Sequence, residues 1–183
     1  MSKSLVKLID ISLTPAALMV VGKVLGLILT VNLFGLPWTV TQVQGTLSTI
    51  RPVVLADDLI TANTYSDLAM FVLLAVGFTF VLLQATHFHD THISPRMLMR
   101  LSNHNLMDLV KSSFDIYHAA TIWLIFLWVC FFVIAINAAL GKTMLWLALA
   151  AFVANTIFTT LLLQDVYQEI DLTRKTLGTQ EAF

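Results

Sequence analysis

The stretch AATIWLIFLWVCFFVIAINAALGKTMLWLALAAFVANTIFTTLLL, residues 119–163, decides the fold of this chain. Its only formal charge is Lys142, which separates two apolar runs at residues 119–140 and 144–163. A bilayer core about 30 Å thick needs about 20 apolar residues at 1.5 Å per residue, so each run predicts a membrane-spanning helix. Because the linker Gly141-Lys142-Thr143 is so short, the two helices must form an antiparallel hairpin.

Two further apolar segments precede this hairpin, at residues 13–36 and 67–86. The first opens at Ser12-Leu13-Thr14-Pro15, which places Pro15 near the first turn of a helix, where its missing N–H costs little. It is too long for the apolar region of a signal peptide, and no small-x-small cleavage site follows it. We therefore predict an all-α integral membrane protein, a single domain over residues 1–183 with a four-helix transmembrane bundle and a tail at residues 164–183.

The scarcity of charge excludes a soluble globular domain. Of 183 residues, 10 are Lys or Arg and 11 are Asp or Glu, a share of 11%, about half of what soluble domains carry. The net charge of −1 and the lack of a basic cluster give no reason to expect nucleic acid as a partner. Cys130 is the only cysteine, which excludes a disulfide framework or a cysteine-based zinc site within one chain.

Lys and Arg outside the spans predict the orientation. Seven lie on the side of the termini and two on the other side, which by the positive-inside rule places both termini in the cytoplasm, with a bacterial inner membrane as the default location. The seven are Lys3, Lys7, Arg96, Arg100, Lys111, Arg174 and Lys175, and the two are Arg51 and Lys142.

Three connecting segments carry weaker signals. Residues 38–66 show no period-two alternation, so no hairpin is predicted there. Residues 87–118 contain a helix start at Ser94-Pro95 and apolar residues at near-helical spacing, which predicts an amphipathic helix on the cytoplasmic membrane surface between helices two and three. Beyond Asp165 the pattern predicts that helix four continues for several turns.

The histidines are the most distinctive feature. All five lie between His87 and His118, and three form the run His87-Phe88-His89-Asp90-Thr91-His92. Imidazole is the commonest metal ligand, so His87, His89 and His92 are a possible metal site, although the helix would have to end within the run for all three to converge.

A second pairing favours haem. His87 ends helix two and His118 begins helix three, so both lie at the same predicted depth, as bis-imidazole haem ligation between helices requires. Haem normally lies deeper than the headgroup boundary, which counts against this assignment. The alternative is that these histidines contact phosphates, helix-end carbonyls or a neighbouring subunit.

Lys23 is the second unusual residue, because it lies about ten residues into the first span, where a charge costs a few kcal/mol. No Asp or Glu is expected inside the other three spans, so the partners expected within the chain are the dipoles of Asn155, Asn137, Thr30 and Asn32. Alternatively, the lysine stem reaches toward the cytoplasmic headgroups. The remaining possibilities are a carboxylate of another subunit, an anionic lipid or cofactor, and a conduction path.

Helix packing leaves two further signals. Gly22 and Gly26 form a Gly-xxx-Gly pattern that allows a close helix contact. Asn155 and Thr159 share one face of helix four, which should therefore look into protein, either for interhelical hydrogen bonds or as part of a hydrophilic path.

These features favour one function over two alternatives. Without a Gly-rich phosphate loop, His-Glu-x-x-His, Gly-x-Ser-x-Gly or a pair of intramembrane carboxylates, an enzyme acting by itself is not indicated. The leading hypothesis is a non-catalytic, accessory membrane subunit of a larger complex, energy-transducing or transporting, with membrane lipids and other membrane subunits, or further copies of the chain, as partners. The alternatives are a haem- or metal-binding anchor that exchanges electrons with quinone, and a small channel or carrier.

Overall fold

The computed structural model describes residues 3–43, 49–55, 58–87, 99–100, 102–104 and 113–180. Within these residues the chain forms four long helices and one two-stranded antiparallel hairpin. The elements in chain order are α1 (Lys3–Phe34), β1 (Trp38–Val43), β2 (Thr49–Val54), α2 (Leu59–His87), α3 (Ser113–Ala139) and α4 (Leu145–Gln180).

Each of the four helices is long and apolar enough to span a membrane, as the sequence predicts. The segments that meet this criterion are Ile9–Phe34, Leu59–Thr86, Phe114–Ala139 and Leu145–Asp171. The helices alternate in direction, so the beginning of α1 and the end of α4 lie at the same end of the bundle. The α3–α4 hairpin and the continuation of α4 beyond residue 163 are confirmed.

Two predicted helix starts are wrong. Helix α1 begins at Lys3 rather than Leu13, so Pro15 lies inside the helix, where its side chain is buried. Helix α2 begins at Leu59 rather than Asp67. The polar residues between Leu59 and Asp67 resemble a loop in sequence, but they form helix, and the hydroxyls of Thr64 and Ser66 donate to carbonyls of that helix.

Helix α3 ends in a Schellman motif. Gly141 adopts a left-handed backbone with φ of 68°, and the N–H of Lys142 donates to the carbonyl of Asn137 at 2.8 Å. Glycine is favoured here because a Cβ disfavours positive φ. Helix α1 ends in the same way at Gly35, whose φ is 60°. Both turns return the chain at one end of the bundle.

The hairpin between α1 and α2 contradicts the prediction for residues 38–66. Strand β1 pairs with β2 from Trp38 opposite Val54 to Val43 opposite Thr49. The two short strands are held together by backbone hydrogen bonds, and the pattern of side chains along each strand is a weak signal of such pairing. Val54 is buried together with Val31 of α1 and Ala62 of α2, which attaches the hairpin to the bundle.

The main core lies between α2 and α3. Leu74, Phe78, Leu127 and Ile134 are fully buried there. Helix α1 packs against α2 and α3, and α4 packs against α3 and α2. Outward-facing side chains of the helices are largely apolar, with Leu33 79% and Leu149 59% exposed, as expected for surfaces that face lipid.

The Gly-xxx-Gly pattern brings α1 against α2. A Cβ at Gly26 would lie 2.6 Å from the Cβ of Ala69 and 2.8 Å from the Cα of Ser66. A Cβ at Gly22 would lie 2.8 Å from the Cα of Met70. All three distances are shorter than side chains permit. The predicted close approach of two helices is therefore confirmed, and both helices belong to this chain.

The predicted surface helix between α2 and α3 falls on residues 88–112. Apart from residues 99–100 and 102–104, this segment lies outside the described residues, and the surface helix stays a prediction.

Candidate functional site

A charge pair joins α1 to α2 inside the bundle. The Lys23 ammonium donates a hydrogen bond to Oδ1 of Asp67 and forms an ion pair with it. The Asp67 side chain is completely buried, whereas that of Lys23 is 35% exposed. The carboxylate of the pair is thus fully covered, whereas the lysine side chain is partly exposed.

Two further donors hold the other carboxylate oxygen. Oδ2 of Asp67 accepts from Oγ1 of Thr143 at 2.8 Å and from Nδ2 of Asn137 at 3.2 Å. Asn137 lies near the end of α3, and Thr143 lies in the turn that follows. With Lys23, one carboxylate therefore joins α1, α2, α3 and the α3–α4 turn. We call Lys23, Asp67, Asn137 and Thr143 the Asp67 cluster.

Helix α2 holds the α3–α4 turn at a second point. The N–H of Met144 donates to Oγ1 of Thr64 at 3.0 Å, and that hydroxyl donates to the carbonyl of Ile60 at 2.7 Å. Met144 directly precedes α4, so its N–H has no partner within that helix. Thr64 and Asp67 lie three residues apart on one face of α2 and together fix the turn.

The glycine contact explains how the charge pair forms. Gly22 and Gly26 flank Lys23 and let α1 approach α2 closely. At this separation the lysine stem extends along the surface of α2 and places its ammonium at Asp67. Packing and charge pairing thus depend on the same turn of α1.

Lys23 lies deep within its helix. At 1.5 Å per residue it is about 16 Å from Phe34 and about 21 Å from Ile9, the two ends of the apolar segment. Its ammonium is bound to Asp67, a counterion that the chain itself provides and that also contacts the α3–α4 turn. The expectation that the other spans hold no acidic partner is wrong, because Asp67 lies inside α2.

The four dipoles expected near Lys23 have other partners. Thr30 and Asn32 donate to carbonyls of their own helix, those of Gly26 and Ile28. Asn137 reaches Lys23 only indirectly, through Asp67. Asn155 lies elsewhere in the bundle, in contact with α3.

Asn155 joins α4 to α3, as expected for a residue that looks into protein. Its side chain is fully buried, and Nδ2 donates to the carbonyl of Leu127 at 2.9 Å. Its Oδ1 has no hydrogen-bond partner among the described residues. One helical turn further, Nε1 of Trp128 donates to Oγ1 of Thr159 at 3.2 Å. The neighbouring Thr156 is exposed and bonds to its own helix.

A further polar contact between two helices lies at the end of the bundle where α1 begins and α4 ends. The Tyr117 hydroxyl of α3 donates to Oδ2 of Asp165 of α4 at 2.9 Å. Asp165 also lines a groove between α2 and α4, together with Leu82, Leu161, Gln164 and Gln168.

The structure brings the two proposed haem ligands to the same end of the bundle, since α2 ends at His87 and α3 begins at Ser113. His118 is partly buried and stacks on Phe114, with 6.2 Å between ring centroids. His89 and His92 lie outside the described residues. Within the part of the chain that is described, no group of three or more His, Cys, Asp or Glu side chains could hold a metal ion.

Known proteins offer no guide to this arrangement. No protein-family model, no curated protein and no solved structure matches the chain.

Sequence reasoning singled out Lys23, Asn137 and Asn155 but missed Asp67 and Thr143. Asp67 could have been found from the eight uncharged residues that precede it, Leu59-Ile60-Thr61-Ala62-Asn63-Thr64-Tyr65-Ser66, which can belong to the helix. Once Asp67 is placed inside a span, its carboxylate is the natural counterion for Lys23.

Proposed function

We propose that the chain is a multi-pass, non-catalytic membrane subunit of a larger protein complex. The observation that carries this proposal is the half-covered charge pair, in which Asp67 is fully buried and Lys23 is 35% exposed. Part of the Lys23 side chain is therefore accessible at the surface of the bundle.

The Lys23 ammonium has N–H donors that the described residues do not use. Lysine offers three N–H donors, and the described residues provide one acceptor, Oδ1 of Asp67. In hydrocarbon an unsatisfied N–H costs several kcal/mol. Lys23 is about 16 Å along its helix from the nearer end of its span, and in this proposal a neighbouring protein segment supplies the remaining acceptors.

The charge of the cluster indicates what the neighbouring segment presents. Lys23 and Asp67 neutralise one another, so a further buried carboxylate would leave a net charge in the membrane, at high cost. Uncharged oxygens of Ser, Thr, Asn or the backbone fit better. Copies of this chain related by a two-fold axis through this surface would bring two Lys23 ammonium groups to the same depth, so a different subunit is favoured over a second copy.

The Asp67 carboxylate is suited to holding helices rather than to catalysis. Both oxygens accept hydrogen bonds, from Lys23, Asn137 and Thr143. A carboxylate that is fully bonded and buried has no free position for a substrate proton. Its role in this proposal is to fix the surface that α1 presents to the partner.

Native complex size tests the proposal. Membranes that contain the tagged chain are solubilised in mild detergent and resolved by blue native electrophoresis, with the co-migrating subunits identified by mass spectrometry. We expect one defined set of partners for the wild type. Migration as a lone monomer, with no partner, would refute the proposal.

Matched variants assign the contact to Lys23. The double substitution Lys23→Met/Asp67→Asn removes both charges together, so the bundle avoids an unpaired charge while the exposed donors are lost. We expect it to release the partners. Lys142→Met, at an exposed lysine in the α3–α4 turn, should retain them. Retention by the double variant would contradict this assignment.

The location follows the count of basic residues. Seven Lys and Arg on the side of the termini favour cytoplasmic termini, and a bacterial inner membrane is the default.

Haem binding is the second candidate, favoured by the position of His87 and His118 at one end of the bundle. In that case the chain is a membrane anchor that exchanges electrons with quinone. The intact complex should then show a Soret band that His118→Ala removes. A spectrum without a Soret band, together with an elemental analysis free of metal, would eliminate the electron-transfer function. For a channel or carrier, the third candidate, Lys23→Met should change flux in liposomes.

A further inference from the structure

A groove of about 290 Å³ lies between α2 and α4 at the end of the bundle that carries the termini. Its lining has an apolar part that includes Leu82 and Leu161, which we call the floor, and a polar part with Gln164, Asp165 and Gln168, which we call the rim. An apolar floor under a polar rim fits an amphiphilic ligand better than a purely polar one.

The groove lies where the apolar part of α4 ends. The run Leu161-Leu162-Leu163 is followed directly by Gln164 and Asp165, and Thr86, at the end of the apolar segment of α2, also lines the groove. In a membrane, the floor therefore lies beside the acyl chains and the rim beside the headgroups. This depth does not depend on which side of the membrane the termini occupy.

The rim combines a negative charge with neutral donors. Oδ2 of Asp165 accepts from the Tyr117 hydroxyl at 2.9 Å, which orients the carboxylate and leaves Oδ1 for a ligand. The side-chain amides of Gln164 and Gln168 can each donate two N–H groups to phosphate or ester oxygens. A ligand that places an ammonium at Asp165 and a phosphate at the glutamines matches all three side chains.

We propose that this groove binds a phospholipid with a primary ammonium headgroup, of the phosphatidylethanolamine type. An anionic lipid such as phosphatidylglycerol meets the Asp165 carboxylate with a negative charge and no ammonium. Phosphatidylcholine carries a positive charge but no N–H, so it cannot form the charge-assisted hydrogen bond to Oδ1. The inference rests on the proposed function only in that the chain lies in a membrane.

Native mass spectrometry of the purified full chain tests the proposal. The protein is released from mixed micelles that contain equal amounts of the ethanolamine and choline lipids with identical acyl chains, and the retained lipids are counted. We expect the ethanolamine lipid to be preferred by about fivefold, the factor that corresponds to a partly exposed charged hydrogen bond. Asp165→Asn should remove the preference.

Two variants separate binding from folding. Asp171→Asn changes an exposed carboxylate of the same helix outside the groove and should keep the preference. Tyr117→Phe leaves the charge but frees the orientation of Asp165, so the preference should fall without disappearing. Circular dichroism verifies that all variants keep the helical content of the wild type.

The outcomes distinguish this proposal from the proposed function. If the wild type retains both lipids equally, or if Asp165→Asn keeps the preference, the lipid site is refuted while the membrane subunit stands. If the lipid preference is found but no protein partner co-migrates in native membranes, the lipid site stands and the proposed complex fails. A chain that extracts from membranes with alkaline carbonate refutes both.

Discussion

At the scale of single residues, Asp67 has the largest effect on how this chain is interpreted. A sequence interpretation that places Asp67 at a helix boundary leaves Lys23 without a counterion inside the chain. In the structure the counterion lies on the neighbouring helix of the same chain, and what Lys23 lacks is neutral acceptors. The lysine could be recognised from sequence because a charge in an apolar run is conspicuous. Asp67 is less conspicuous, because its polar neighbours extend helix α2 without an apolar signal, and only the lack of charge in residues 59–66 points to it.

Loss of one charge should destabilise the bundle more than loss of both. Lys23→Met leaves the buried Asp67 carboxylate without its cation. We expect a loss of about 2–3 kcal/mol in the free energy of unfolding, below the 3–5 kcal/mol of fully buried pairs because Lys23 is partly exposed. The double variant Lys23→Met/Asp67→Asn should recover part of this loss. Unfolding in detergent by increasing SDS, followed by circular dichroism, measures both. Additive losses would show that the two residues are not coupled.

At the scale of elements, the helices could be predicted from apolar length, but their starts and the hairpin could not. Helix α3 is apolar almost throughout, and its predicted C-terminal end lies within a few residues of the observed one. Helix α1 begins before Pro15, because a proline inside a helix is tolerated where other partners satisfy the freed carbonyl. Strands β1 and β2 are fixed by backbone pairing and by Val54 against the bundle, and the alternation Trp38-Thr39-Val40-Thr41 in β1 is too short to predict a hairpin.

The contact between α1 and α2 should not tolerate a larger side chain at Gly26. Gly26→Val forces a side chain into a space where even a Cβ would lie 2.6 Å from that of Ala69. We expect a loss of about 1–3 kcal/mol, as for overpacked cores. Ala17→Val adds a comparable volume at an exposed position of the same helix and should change stability little. The SDS midpoints of the two variants provide the comparison, and equal losses would contradict the close contact.

The left-handed turn after α3 should be sensitive to a single methyl group. At Gly141 a Cβ meets no other atom within 4 Å, but φ is 68°. Gly141→Ala should therefore cost about 1 kcal/mol through backbone strain alone. Because Thr143 follows in the same turn, the cost should rise if the strain also weakens its bond to Asp67. Thermal denaturation of Gly141→Ala beside Gly141→Asn tests this, since Asn tolerates positive φ and should lose less.

At the scale of the whole molecule, four alternating helices put the hairpin and the α3–α4 turn at one end and both termini at the other. Helix count and alternation could be predicted from sequence. Which helices touch could not, because apolar residues surround each helix and the exposed apolar faces toward lipid look like core faces in sequence. The central position of α2 and α3 emerges only from the packing of Phe78, Leu127 and their neighbours.

Cysteine labelling should report the orientation of the bundle. Cys130 is the only native cysteine and is buried, so it gives little background. A membrane-impermeant maleimide added to intact cells should label Lys142→Cys, in the α3–α4 turn, but not Arg174→Cys, in the exposed part of the α4 tail. Permeabilised cells should show labelling of both. Labelling of Arg174→Cys in intact cells would reverse the orientation that the positive-inside count predicts.

The charge pair also has a consequence for the order in which the protein is made. Asp67 follows Lys23 by 44 residues, which at about 5–20 residues per second is a delay of about 2–9 s during synthesis. Throughout that interval the Lys23 ammonium lacks its partner Asp67, and it gains this partner only when α2 is made. Asn137 and Thr143 are made later still. A nascent chain that stops before α2 therefore presents Lys23 without its counterion, which the quality-control machinery of a membrane can detect.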